Sequence, residues 1–290
     1  NETLENSINF THQNEDLFLG FNASAYETLT ENYNDKYEYV LPDIILDKNL
    51  FSNKYGNADF TSNLKVHNYD TNKFTKFLIN DIDWKYKNLN FKSGFNGNIL
   101  GKFKNINYEA KNTEFKTDTT SEFFGALGYL TEIDLFKRTN NNFNHLLTPK
   151  VLVRLAPDYM RKETDGLRLN HLNIFNLDRL NTNNNFEGGL STTFGFNYEI
   201  KDKNDVSQFK IIMGQIINEK ENKNMPSSSS LDEKLSDAVG NINLKANNKI
   251  NLSYNFAIDQ SYNKLNYNEI GADLDFNPIK FNLSYLQEKE

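Results

Sequence analysis

The side chains that ordinarily do chemistry are sparse in this chain and poorly spaced to act together. Its four histidines, His12, His67, His145 and His171, stand at no i, i+3 or i, i+4 spacing, and none adjoins a nucleophile elbow. A triad assembled across strands would leave no such spacing, but polar strand and loop positions account for all four. There are no cysteines, which removes disulfides, thiolate metal sites and a cysteine nucleophile. Asp81 and Asp83 flank Ile82 and would share a strand face, yet two carboxylates without a closing ligand loop make a poor calcium site. Asp232 and Glu233 with Asp237 read as a solvated acidic loop. Gly188-Gly189 and the stretch from Gly125 to Gly128 open no helical pattern, so they are not phosphate cradles; they relieve crowding in curved strands. The expectation is a protein with no catalytic residue, no metal and no cofactor, and not an enzyme.

The elements that position these residues are strands. From Ile250, the apolar Leu252, Tyr254, Phe256 and Ile258 alternate with Asn251, Ser253, Asn255, Ala257 and Asp259. This is period two, held for the ~9–11 residues that a tilted strand needs to cross a bilayer. After a polar turn, Leu265 and Tyr267 resume it, the phase shifts near Glu269, and Ile270, Ala272, Leu274 and Phe276 follow. Asn277-Pro278 breaks the run, and Ile279, Phe281, Leu283 and Tyr285 open another strand. The three make an antiparallel meander with no helix between them to cover the apolar face.

Composition agrees with that reading. The 290 residues are 38% hydrophobic, their mean hydropathy is -0.70, and no run approaches the ~18 apolar residues of a membrane helix. Yet aromatics reach 13%, with 23 Phe and 15 Tyr, dispersed singly in alternation. An outer-membrane barrel has this composition, because every second residue faces lipid and the interior stays polar. A net charge of -7 argues against a nucleic-acid partner.

The same alternation runs upstream. Leu17, Leu19, Phe21, Ala23 and Ala25 make a first strand. Pro42, within Tyr37 to Leu46, marks an edge, a bulge or a strand start. Phe77 and Ile79, then Ile82, Trp84 and Tyr86, change phase at Asp81 as a bulge would. Leu89, Phe91, Ser93 and Phe95 continue, and Asn96-Gly97 is a two-residue hairpin signal. Leu147, Pro149, Val151, Val153 and Leu155 share one strand face, which turns Lys150 and Arg154 toward a lumen; on the lipid side each would cost ~2–4 kcal/mol at the midplane.

Connections in the last third alternate in length: 201–207 is short, 218–237 is long, polar and expected to be mobile, 246–249 is short, 260–264 is intermediate, and Asn277-Pro278 is minimal. Such alternation fits a barrel with one confined rim and one outward rim. At roughly twenty residues per strand and connection the chain holds about 14 strands. The fold class is therefore all-β, a partial, large antiparallel transmembrane β-barrel, with residues 1–290 in a single domain. No signal-peptide pattern opens the sequence and Leu283 to Leu286 reads as a strand in progress, so the expectation is a fragment.

Several segments together resemble one family. They are Tyr37-Glu38-Tyr39-Val40-Leu41-Pro42-Asp43, Asn80-Asp81-Ile82-Asp83-Trp84, His145-Leu146-Leu147-Thr148-Pro149-Lys150 and Leu172 to Leu180 with Arg179. Phe186-Glu187-Gly188-Gly189, Gly214-Gln215, Ser236-Asp237-Ala238-Val239-Gly240 and Asn268-Glu269-Ile270-Gly271-Ala272 follow in the family's order. The chain resembles the C-terminal barrel of the lipopolysaccharide-assembly family LptD. That resemblance implies a cell outer-membrane barrel that inserts lipopolysaccharide into the outer leaflet, with a plug lipoprotein LptE, a periplasmic bridge protein LptA and an N-terminal jelly-roll domain not seen here. It brings forward Pro42, Trp84, Pro149, Glu187, Gly188, Gln215, Asp237 and Glu269, and makes Lys150, Arg154 and Arg179 hypothetical lumenal or rim cations for phosphate or partner contact. Two other readings stay open: a passive porin, and a surface β-rich interaction protein whose apolar face packs on a second sheet.

Overall fold

Alternation at period two leaves no continuous stripe for a helix to bury, and the chain forms strands accordingly. The computed structural model describes residues 3–31, 33–90, 94–139, 143–164, 168–180 and 182–288. No α-helix occurs among the described residues; one 3-10 turn, Ser227–Ser229, interrupts a connection.

The strands are β1 (Thr3–Asn14), β2 (Leu17–Thr28), β3 (Tyr37–Asn53), β4 (Gly56–Tyr69), β5 (Phe74–Asn90), β6 (Phe95–Lys111), β7 (Thr120–Ile133) and β8 (Leu135–Arg138), followed by β9 (Asn144–Ala156), β10 (Gly189–Lys201), β11 (Ser207–Asn218), β12 (Ala238–Asn247), β13 (Ile250–Ile258), β14 (Leu265–Phe276) and β15 (Ile279–Glu288). They form one antiparallel 15-stranded sheet in chain order, with the short β8 lying beside β9. β1 and β15 are the two ends of that order, so the sheet is open and the architecture is a partial barrel. Contacts divide the chain into two compact units: Asn1–Tyr86, Leu100–Gly125 and Asn183–Phe186 in the first, and Lys87–Ile99, Ala126–Thr182 and Glu187–Glu290 in the second.

In the second unit the register separates two faces. Tyr254 pairs with Ile270 and Ile270 with Tyr285; Leu252 pairs with Ala272 and Ala272 with Leu283. Directly opposed residues point the same way, so these rows build one apolar face, on which Leu283 is 59% and Tyr285 60% exposed. The intervening rows, Asn241–Asn255–Glu269 and Lys245–Asn251–Asp273, build a polar face. In the first unit, Leu19, Leu46, Phe21, Ile44, Leu64 and Leu78 line up in the same manner, opposite a face carrying Asn22, Asp43, Asn63 and Lys65.

Aromatic groups mark both ends of the first unit's strands. At one end Trp84 Nε1 donates to the Tyr55 carbonyl at 3.0 Å and Lys54 lies 4.9 Å from the Tyr55 ring. At the other, Lys36 and Lys73 sit over Tyr37 and Tyr69 at 5.1 and 5.0 Å. Amphipathic rings with cations at two levels of the same strands are what a barrel places at the two membrane interfaces.

Both strand prolines sit where a ladder is interrupted. Pro42 lies inside β3 between two partners, so it is neither an edge nor a strand start; the registers with β2 and β4 both shift beside it, which makes it a bulge. Pro149 lies in the gap between the β7–β9 ladder, which ends at Glu132–Lys150, and the β8–β9 ladder, which starts at Leu135–Leu147. Having no N–H, it cannot donate there.

Several local expectations need correction. β1 precedes the strand read as the first. Asn96-Gly97 is not a hairpin turn but lies within β6, where a Cβ on Gly97 would stand 2.6 Å from the Tyr129 hydroxyl; this glycine admits a neighbour. Phe91 and Ser93 lie outside the described residues. The phase does not change at Asp81, because the β4–β5 register is unbroken. Phe77 and Ile79 share the polar face instead, where Phe77 packs on Tyr108 and Phe115 at ring-centroid distances of 5.5 and 5.1 Å. Nor does it shift at Glu269: Tyr267 and Glu269 share a face, and the irregularity lies at Ala257/Ile258.

The polar face of the second unit turns apolar where a connection covers it. Gly195 and Gly214 are opposed across β10 and β11, and Phe175 and Ile174 from the 157–188 connection descend onto them. A Cβ on Gly195 would stand 2.4 Å from the Met213 carbonyl and 2.9 Å from the Phe175 ring, and one on Gly214 would stand 2.8 Å from Ile174 Cδ1. At Gly125 the nearest atom would be an ordinary 3.4 Å away. Gly195→Ala is accordingly expected to destabilise by about 1–3 kcal/mol, the range for overpacking, with Gly125→Ala near neutral. Urea unfolding in detergent micelles checks this; equal midpoints for the two variants would refute it.

Candidate functional site

Two connections converge on the second unit's polar face. The first, 157–188, is held to the second, 219–237, by backbone bonds from Glu163 N to Asn224 O at 2.8 Å and from Leu169 N to Ser229 O at 3.3 Å. Met160, Leu169, Ile174 and Leu180 from the first connection join Met225 and Leu231 from the second, over Ile216, Val239 and Ala257 of the sheet. Where the polar composition of 218–237 led to the expectation of a mobile loop, the segment instead packs Met225 and Leu231 into that shared core. Its serines are structural: Ser229 Oγ donates to Pro226 O at 2.6 Å, and Ser236 Oγ accepts from Ile216 N at 2.9 Å.

Beneath the first connection lies a buried carboxylate between two guanidinium groups. Arg179 Nε donates to Glu187 Oε2 at 2.7 Å, its Nη2 donates to Glu187 Oε1, and its backbone N donates to Oε2 at 3.2 Å. The remaining Arg179 donors reach Ser191 Oγ at 3.0 Å and Thr193 Oγ1 at 3.4 Å on β10. Arg154, on β9 opposite Ser191, approaches Glu187 Oε1 at 3.6 Å; its Nε donates to Leu177 O at 2.5 Å, Nη1 to Gly189 O at 3.1 Å, and Nη2 to Glu187 O. Both arginine side chains are 0% exposed. One arginine comes from the sheet and the other from the connection, so the shared carboxylate ties the two together. Gly188 completes the turn, since a Cβ there would stand 2.8 Å from Pro157 O.

Arg154 and Arg179 are therefore not rim groups awaiting a phosphate. Their donors are engaged within the chain, because a charge buried beneath a folded connection must be met by charge and hydrogen bonds. Lys150 keeps partial exposure and pairs with Glu132 at 3.1 Å. Burial alone would push the Glu187 carboxyl up, but Arg154 and Arg179 more than reverse this and hold it below the ordinary carboxylate value.

Other marked residues extend the arrangement. Gln215 Nε2 donates to Ser236 O at 2.8 Å and its Oε1 accepts from Tyr262 at 2.7 Å. Asp237 is buried, accepts from Asn266 Nδ2 at 2.9 Å and lies 3.7 Å from Arg168; burial raises its carboxyl pKa, opposed by those two neighbours. Glu269 Oε2 accepts from Asn255 Nδ2 at 2.8 Å and from the Tyr267 hydroxyl at 3.0 Å, at the end of a row through Asn241. Pro42 and Trp84 belong to the first unit. The sequence reading missed Ser191, Thr193 and the asparagine row; their only trace was a polar alternate position opposite an apolar one. Among the described residues no group of three or more acidic or histidine side chains is arranged to hold a metal ion.

An open antiparallel sheet with one apolar exposed face and one polar face defines a membrane-spanning protein of the β-barrel kind. The family model of LptD, described as LPS transport system D, matches residues 1–290, and the chain belongs to that family. It is thereby placed among outer-membrane proteins of lipopolysaccharide transport and assembly. No curated protein matches the chain.

Removing one member of a buried ion group strands the others, at a cost of about 3–5 kcal/mol. Glu187→Ala should lower the unfolding free energy measured by urea titration in detergent by that much, and Glu187→Gln, which keeps the shape, should restore part of it. The pH dependence has a definite sign. A carboxylate whose folded pKa lies below its unfolded value of about 4.3 contributes stability that is complete above that value and lost as pH falls through the folded pKa. The gap between wild type and Glu187→Gln should therefore be constant near neutrality and shrink below about pH 4; a gap that widened on acidification would contradict the assignment.

Proposed function

We propose that this chain supplies strands of one barrel domain in the cell outer membrane, and that the barrel inserts lipopolysaccharide into the outer leaflet. The observation that carries this reading is the register of β12 to β15, which sets Tyr254, Ile270 and Tyr285 on one face while Asn241, Asn255 and Glu269 occupy the other. A lipid with an anionic saccharide and several acyl tails needs both environments side by side: water and hydrogen-bonding groups for the sugar, hydrocarbon for the tails. The polar face meets the first need and the apolar face the second.

Family membership supports a place in the lipopolysaccharide route. A plug lipoprotein of the LptE kind and a periplasmic bridge of the LptA kind are the partners this reading calls for. Of the three cations singled out in sequence, Lys150 alone keeps solvent exposure, and a phosphate or a partner would reach it by displacing its pairing with Glu132. The buried carboxylate between Arg154 and Arg179 works one step back: it holds the 157–188 connection on the polar face and so limits how much of that face the saccharide meets.

Two measurements test the reading. Leu283→Arg on the apolar face should cost about 2–4 kcal/mol of bilayer folding free energy, as charges at the midplane of a barrel's lipid face do, whereas Ser284→Arg on the polar face should cost little. A photoreactive residue in place of Asn282 should capture lipopolysaccharide in living cells, and one in place of Phe281 should capture phospholipid. Ion conduction by the isolated protein, with no lipopolysaccharide adduct at polar-face positions, would favour a passive porin instead.

A further inference from the structure

Near the short turns 202–206 and 248–249, the polar face of the second unit holds a recess of ≈ 300 Å³. Lys210 and Lys245 bound it together with Asn243, Asn251, Ser253 and Asp273. The register explains the grouping: Lys210 faces Asn243, which faces Ser253, and Lys245 faces Asn251, which faces Asp273. Leu244 and Leu252 also border it, but they alternate onto the opposite face, so the side chains offered to a ligand are all polar. Next to Ser253 the β14 position is Gly271, where a Cβ would stand 2.4 Å from Ser253 Oγ, so the glycine leaves that hydroxyl room.

The charges of this recess are unequal in their commitments. Asp273 already accepts from Asn282 Nδ2 at 2.6 Å. Among the described residues neither Lys210 nor Lys245 takes part in an ion pair within 4.0 Å, although Lys150, Lys201 and Arg168 on the same unit all do. Across β10 and β11 Lys210 faces Glu199, which pairs with Lys201 at 3.6 Å, and Asp202 is engaged by Gln208 at 2.9 Å and by the backbone of Val206 at 3.1 Å. Two uncommitted ammonium groups therefore stand beside amide and hydroxyl groups that both donate and accept. An oxyanion meets the ammonium groups and a polyol meets the amides, and a sugar carrying a phosphate or carboxylate presents both at this scale.

We infer that the recess between Lys210 and Lys245 is a binding subsite for a phosphorylated or carboxylated sugar. The inference rests on the reading that this face handles an anionic saccharide, and it adds where on the sheet the charged group is held. Lys210 and Lys245 take the oxyanion, Asn243, Asn251 and Ser253 take ring hydroxyls, and Asp273 accepts from a hydroxyl on the far side. As an open contact between charges, it weakens with ionic strength.

Saturation-transfer NMR on the detergent-solubilised protein tests the inference with four probes: N-acetylglucosamine 6-phosphate, glucuronic acid, neutral N-acetylglucosamine and inorganic phosphate. The phosphorylated or the carboxylated sugar should give transfer that falls at least fivefold in the Lys210→Ala/Lys245→Ala double variant, is retained in Lys210→Arg/Lys245→Arg, and drops at high salt. Which of the two sugars responds identifies the charged group. Equal transfer in wild type and the alanine variant would overturn the site, provided heat-modifiable gel mobility shows both folded. Inorganic phosphate competing as well as the sugars would overturn the saccharide assignment. The outcome is separable from that of the transport reading: loss of lipopolysaccharide capture at Asn282 with sugar binding intact sinks only the transport reading, and the converse sinks only this subsite.

Discussion

Each strand of this chain has to serve two solvents. Backbone groups must be satisfied within the sheet, since hydrocarbon offers no partners, and alternate side chains must then suit oil on one side and water on the other. The register of β12 to β15 meets this constraint in the rows through Leu252, Tyr254, Asn251 and Asn255, and the first unit does so through Leu19, Phe21, Ile44 and Leu64 opposite Asn22, Asp43 and Asn63. On the polar face of the second unit the constraint is relaxed beneath two connections. Ile216, Val239 and Ala257 lie on the polar face yet are apolar, because 157–188 and 219–237 fold over them. Phe77 and Ile79 break the alternation in the first unit for the same reason, with Phe115 of the 112–119 connection packed on Phe77.

Covering a polar face creates an electrostatic difficulty, and Glu187 resolves it. Arg154 on a wet strand face would need nothing more than water. Under a folded connection it needs an anion and carbonyl acceptors, and the connection supplies Glu187 together with the carbonyls of Leu177 and Glu187, while Gly189 at the head of β10 supplies a third. Arg179 turns the pair into a triad and links it to Ser191 and Thr193 on the sheet. An alternative seating of the connection would leave a buried charge unmatched, at a cost of about 3–5 kcal/mol.

Much of the architecture was legible because period-two alternation is a local property. The boundaries of β13, β14 and β15, the separation of Val153 and Leu155 from Arg154, and the alternation of long with short connections can all be read from neighbours in sequence. The candidate site was legible only in part. Arg154, Arg179 and Glu187 each stood out, but that they meet was invisible, since it depends on a connection folding back across β9 and β10. The polar composition of 218–237 suggested mobility because its order comes from Met225 and Leu231 docking on residues distant in sequence. Asn96-Gly97 misled for a related reason: the dipeptide suits a tight turn, but here Gly97 serves a close approach by Tyr129, which no local rule contains.

The central claim is that the apolar face meets hydrocarbon and the polar face meets water. The natural absence of cysteine gives a clean background for testing it. Single cysteines placed one at a time at Tyr254, Asn255, Ile270 and Gly271, in protein reconstituted into lipid vesicles, can be challenged with a water-soluble maleimide. The account predicts labelling at 255 and 271, and protection at 254 and 270, where an attached fluorophore is instead quenched by brominated lipid. Labelling at all four positions without lipid quenching would contradict it.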